Sequence, residues 1–154
     1  MADVHEERLK QSEAELKLAI YFAKEFMKEL GKEKALEIME KAWANYQIDN
    51  WNKRLEGVPP EQRFKALGEW FKQQAANRPE LKVIEAIPKR VCIEISRCLT
   101  YDVCKKLGVP EICQKYCDSD YIVAPTIQPK VRLVRDKALA YGADYCNHCF
   151  IMED

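Results

Sequence analysis

The sequence predicts an α+β fold in which N-terminal helices pack on a small antiparallel sheet formed by the C-terminal half. Three observations predict it. Apolar residues recur every three to four positions through the first half, then every second position in several runs beyond Pro79. Turn-forming residues collect between these runs. The last two extended runs are joined by a link too short for a crossover helix, which favours antiparallel pairing over a parallel βαβ architecture. At 154 residues a single domain of residues 1–154 is expected, helical over 1–78, with sheet and cysteines in 79–154. A chain of this size buries roughly 70% of the surface its unfolded form exposes.

Leu9, Leu16, Ile20, Ala23, Met27 and Leu30 lie on one face of a first helix, and Leu18, Phe22 and Phe26 are expected to widen that buried face. Gly31 stops it. Ala35, Ile38, Met39, Ala42, Trp43 and Tyr46 restart the period and carry a second helix towards Leu55. After Gly57-Val58-Pro59-Pro60, a third helix buries Phe64, Leu67, Phe71 and Ala75, with Gly68 allowing a close neighbour. The aromatic residues here read as core. Asn77-Arg78-Pro79 ends the helical part, and Leu81 to Ser96 reads as one strand with Val91, Ile93 and Ile95 on its apolar side. The other side would carry Cys92, Glu94, Ser96 and Cys98, as one wall of a pocket or as a face in water. Thr100 to Leu107 forms a short helix ended by Gly108, and Pro110 opens another on which Cys113 and Cys117 share a face. Pro125 and Pro129 mark a connection, and Lys130 to Leu139 with Tyr145 to Met152 form an antiparallel hairpin around Gly142.

Charge is balanced at 25 basic against 25 acidic residues, so no field attracts nucleic acid or an anionic membrane. The charged N-terminal stretch lacks the apolar core of a signal peptide, and no apolar run approaches the ~20 residues that span a bilayer. A cytoplasmic protein with a small-molecule substrate or ligand is expected, and the edges of a small sheet admit a homo-oligomer. In a reducing compartment the seven cysteines, all at or beyond Cys92, read as thiols, metal ligands or a nucleophile rather than as a disulfide framework.

Cys117, Asp120, Cys146 and His148 include a potential thiolate, an acid or base and an orienting carboxylate, the parts of a thiol-dependent hydrolytic site. Cys113, Cys117, Cys146 and Cys149 are the alternative, a ligand set for zinc or an iron–sulfur cluster in a non-enzymatic binding domain. The cofactor is left open between none and these metals. A regular strand from Tyr145 places Cys146 and His148 on one face and Cys149 on the other, which opposes the metal reading. There is no phosphate-binding glycine loop and no Gly-x-Ser-x-Gly elbow, so nucleotide enzymes and serine hydrolases are disfavoured.

Cys98, then Leu107-Gly108-Val109-Pro110-Glu111, Cys117-x-x-Asp120, Val131-Arg132-Leu133-Val134-Arg135, Leu139-Ala140-x-Gly142 and Cys146-x-His148 occur in this order. The ordered set resembles the L-2-amino-thiazoline-4-carboxylic acid hydrolase family over roughly the C-terminal third. The resemblance implies a small α+β domain that opens a cyclic amidine or thiazoline carboxylate. Attack on the amidine carbon by a thiolate or activated water requires a proton for the departing nitrogen or sulfur. Carried onto this chain, the resemblance makes Cys117, Asp120 and Cys146 the positions to watch, with Cys98 nearby and Arg135 as a carboxylate anchor. It further implies that Cys98, Cys117, Asp120, Cys146 and His148 converge on one cavity. Cys117 is expected near a helix C-terminus, where the macrodipole opposes a thiolate unless His148 or Arg135 supplies a cation.

Overall fold

The computed structural model describes residues 4–154 and shows five α-helices on one face of a four-stranded antiparallel sheet. Helix α1 spans Val4–Leu30 and α2 spans Lys32–Arg54, with Gly31 alone between them. Gly31 has φ 83°, a left-handed conformation that lets the chain reverse within one residue. Ile20 and Ala23 of α1 are buried against α2 and α4, but Leu18, Phe22 and Leu30 stand more than half exposed. The predicted widening of the buried face does not occur. Steps of four residues carry those side chains around the helix, past the line where α2 and α4 pack.

A 3-10 turn at Pro60–Gln62 leads into α3, Arg63–Asn77, which buries Phe64, Leu67, Gly68 and Phe71. A Cβ at Gly68 would lie 3.3 Å from Val91 Cγ2, so its absence lets α3 sit close over the sheet. The single run expected over residues 81–96 is a hairpin, β1 (Leu81–Ile87) paired with β2 (Arg90–Ile95) around Pro88-Lys89. Pro88 has no N–H to offer a ladder, and the chain folds back there without breaking the apolar alternation. Register shifts once, between Val83 and Glu85, leaving Ile84 exposed.

Helix α4 is Leu99–Lys106 and α5 is Pro110–Ile127, separated by Gly108 at φ 76°. The connection expected at Pro125 is instead the last turn of α5. Pro125 removes one intrahelical hydrogen bond, but Val123, Ala124 and Ile127 are buried in the main core and hold the turn. Cys117 therefore lies mid-helix, and the C-terminal dipole argument does not apply to it.

Strand β3 is only Val131–Val134, and β4 is Cys146–Met152. A 3-10 turn at Leu139–Tyr141 and Gly142 connect them. The chain leaves the ladder after Val134 because the Asn147 side chain replaces a strand partner, its Oδ1 accepting from the amides of Asp136 and Lys137 (3.2 and 2.8 Å). The sheet order is β1-β2-β4-β3, with the C-terminal strand central.

One core lies between α2, α3, α5 and the sheet, and a second between α1, α2, α4 and α5. Helix α5 belongs to both. Among the described residues no helix is long and apolar enough to cross a membrane.

Candidate active site

Between the sheet and helices α1, α2, α3 and α5 lies a cavity of about 720 Å³, within the usual range for small-molecule sites. Ile93 and Ile95 of β2 and His148 and Phe150 of β4 form its floor. The pocket wall is thus the apolar face of β2, not the Cys92, Glu94 and Ser96 face. Trp51, Trp70 and Phe71 form an edge-to-face chain along one side, with ring centroids 5.1 and 4.9 Å apart. These rings are core and cavity lining at once.

Alternation along β4 turns Cys146, His148 and Phe150 inward. His148 pairs across the ladder with Ile93 and is 7% exposed. Its Nε2 lies 3.4 Å from Asp120 Oδ2 and 3.4 Å from Arg135 Nη1. Its Nδ1 is buried and meets no hydrogen-bonding partner among the described residues. Asp120, one turn beyond Tyr116 on α5, also accepts from Gln47 Nε2 at 3.3 Å, and that amide is fixed by Ser119 Oγ at 3.0 Å. Burial, with Asp120 adding to it, raises the Tyr116 phenol, so it stays protonated at the cavity wall.

Cys98 also lines the cavity. It is the residue that precedes α4, not a strand position. A hydrogen bond from the Cys113 thiol, helped by the amides of Tyr101 and Thr100 at the start of α4, lowers its pKa to about 7, against burial and the nearby Asp102 carboxylate. Cys113 is correspondingly raised, its hydrogen bonds with Cys104, Cys117 and Cys98 favouring the protonated thiol. The result is a chain of sulfurs running from the α4–α5 core to the cavity surface.

Cys117 and Cys146 do not line the cavity. Cys117 is buried in the second core, and its carbonyl, not its thiol, receives Arg135 Nη1 at 2.9 Å. Cys146 is buried under the Leu139 amide, which donates to its Sγ at 3.2 Å, and desolvation raises its pKa to about 11. Arg135 is enclosed as well, its side chain 4% exposed, 3.5 Å from both Asp118 and Asp120, with Tyr121 under its guanidinium.

The four sulfurs of the metal alternative, Cys113, Cys117, Cys146 and Cys149, do not come together. Cys149 is on the outer face of β4, directly across from Cys92 of β2, and the two form a disulfide. Among the described residues no group of three or more His, Cys, Asp or Glu side chains is placed to hold a metal ion. The expectation that every cysteine is a thiol or ligand is corrected for this pair; the other five are free.

Sequence reasoning missed Arg8, Arg78 and Glu80. Arg8 of α1 grips Glu80 with both terminal nitrogens, at 3.0 and 2.6 Å, and Arg78 Nε adds a third contact at 3.2 Å. These contacts, the Arg8 bond foremost, lower the Glu80 pKa to about 2. Seventy-two positions separate Arg8 from Glu80, and no local pattern in the sequence marks the pair.

A small α+β scaffold enclosing an imidazole–carboxylate pair, an ionisable thiol and two arginines has the make-up of a small-molecule enzyme site. The chain belongs to the L-2-amino-thiazoline-4-carboxylic acid hydrolase family, whose model matches residues 11–150, so the likeness extends well beyond the C-terminal third. No curated protein and no solved structure matches it.

Proposed function

We propose that this protein hydrolyses a small cyclic amidine carboxylate of the 2-amino-thiazoline-4-carboxylate class, within one domain and in the cytoplasm. The observation that carries the reading is that Cys98, ionising near neutrality, and His148, paired with Asp120, face the same cavity. The His148 imidazole, with Asp120 3.4 Å from its Nε2, is the proton-transfer group in this reading.

In the first step the Cys98 sulfur bonds to the amidine carbon, and the C=N π pair moves to the ring nitrogen, which takes a proton from His148. The ring C–N bond then breaks as the exocyclic nitrogen's lone pair forms a C=N bond, and one exocyclic N–H proton passes to the departing nitrogen, which leaves as an amine. In the second step water gives one proton to His148 and its oxygen bonds to the same carbon; the C=N π pair takes the other proton at nitrogen, the C=O bond forms, and the C–S bond to Cys98 breaks to release the thiolate. One water is consumed, the thiol is regenerated, and the product is the open-chain S-carbamoyl compound. The nucleophile is Cys98 in this reading, while Cys117 and Cys146 are packed thiols that hold α5 and β4 in place.

The test is incubation of purified protein with L-2-amino-thiazoline-4-carboxylate, followed by mass spectrometry. A product heavier by one water, formed by wild type and not by His148→Gln, is the expected result. Binding of the thiazoline with no turnover at any pH would replace the enzyme by a non-enzymatic small-ligand module, and no binding would remove the substrate class.

A further inference from the structure

We infer that Arg78, steadied by the Arg8–Glu80 pair, is the carboxylate-binding group of this cavity and the determinant of its preference for anionic substrates. The inference rests on the hydrolase reading and replaces the anchor expected at Arg135. Arg135 does not line the cavity, and its guanidinium is engaged by the Cys117 carbonyl, Asp118 and Asp120. A substrate carboxylate arriving there would have to displace two anionic side chains.

Arg8, Arg78 and His148 are the basic side chains that do line the cavity. Arg8 commits both terminal nitrogens to Glu80, whereas Arg78 gives Glu80 only its Nε. The two terminal nitrogens of Arg78 have no hydrogen-bond partner among the described residues. They offer the planar fork that pairs with a carboxylate. Glu80 stays ionised far below neutral pH, so the three groups together carry one positive charge, and Glu80 fixes the direction in which the fork points.

The position suits the chemistry. The Glu80 carbonyl accepts from the Ser96 amide at 2.9 Å and from the Ser96 hydroxyl at 3.3 Å, which ties the arginine pair to the end of β2, two residues before Cys98. His148 sits opposite Ile93, one inward-facing position further in than Ile95, a step of roughly 6.6 to 6.8 Å along a strand. Arg78 and Cys98 therefore share one end of the cavity, with His148 and Asp120 deeper, so a carboxylate held by Arg78 leaves the amidine between Cys98 and His148. A ligand with a carboxylate at one end and an amidine at the other matches this arrangement.

The test uses the free acid of the aminothiazoline and its neutral primary amide, with equilibrium binding to the Cys98→Ser protein and initial rates with the Cys98-containing enzyme. Arg78→Met is the informative variant because Glu80 keeps its two-point contact with Arg8, and an unchanged circular dichroism spectrum checks the fold. Expected are a loss of acid binding of about 10- to 100-fold, a rise in KM larger than any fall in kcat, an acid-to-amide preference reduced to near unity, and partial rescue by Arg78→Lys. Unchanged acid binding and preference in Arg78→Met, with only a lower melting temperature, would make the cluster a clamp between α1 and β1 and overturn the subsite while leaving the hydrolase reading intact. If the Cys98→Ser protein bound neither compound and the Cys98-containing enzyme turned over neither, the substrate class itself would fall, and the subsite with it.

Discussion

The two groups of cysteines occupy opposite sides of the molecule and differ in chemistry. On the helix side Cys98, Cys104, Cys113 and Cys117 are free thiols packed together between α4, α5 and the cavity. On the outer face of the sheet Cys92 and Cys149 face each other across β2 and β4 and are covalently joined. The difference comes from the elements that carry them. A directly opposed antiparallel pair brings two Cβ atoms within disulfide reach. Thiols on neighbouring helices meet as donors and acceptors, and one of them can be left ionisable at the surface of a cavity. The outer pair is thus expected to govern stability and the inner run reactivity.

The comparison breaks most sharply at Cys98 and His148. Cys98→Ser and His148→Gln are each expected to lower kcat by about 10²- to 10⁴-fold, measured on the thiazoline at neutral pH. Full turnover by Cys98→Ser would withdraw the covalent route and leave His148 acting on water. Next in size is the outer pair. Replacing both Cys92 and Cys149 by serine should cost about 2–4 kcal/mol in chemical denaturation and leave kcat unchanged; a loss of turnover in the folded variant would show that the two groups do not divide stability from reactivity.

Glu80 supplies a third test, away from sulfur. Its folded-state pKa of about 2 lies below the ordinary 4.5, so the folded protein releases this proton more readily than the unfolded chain. The associated stabilisation, up to about 3 kcal/mol, is present in full above the unfolded pKa and is lost as pH falls from about 4.5 through about 2. An Arg8→Met variant should show a smaller acid-induced loss over that window. The smallest effect concerns Cys113→Ala. Without the Cys113 hydrogen bond, the midpoint of the pH profile for Cys98 alkylation should move up from near 7 towards the free-thiol range of about 8.5. An unmoved midpoint would assign the lowered pKa to the Thr100 and Tyr101 amides alone.

Parts of this division are legible in the sequence. The period of two along Cys146-Asn147-His148-Cys149 is enough to separate Cys149 from Cys146 and His148, and the spacing of Cys113 and Cys117 places them on one helix face. The side of β2 that meets the cavity is not legible, since an apolar strand face can equally line a dry core or a pocket. The turn at Pro88-Lys89 is hidden because alternation continues on both sides of it. Pro125 misleads because its effect on helix propensity is local, whereas Val123, Ala124 and Ile127 are held by contacts with the rest of the core.

By itself the sequence determined the helices, the α+β class and the side of the strand to which each late cysteine points, because those follow from backbone geometry repeated over a few residues. Only the tertiary structure decided that Cys98, and neither Cys117 nor Cys146, reaches the cavity. It also decided that Arg135 is enclosed and that Arg8 crosses 72 positions to meet Glu80. Such contacts depend on which helix faces which strand once the core has closed, and that choice is made by packing and burial over the whole chain rather than by any neighbouring residues.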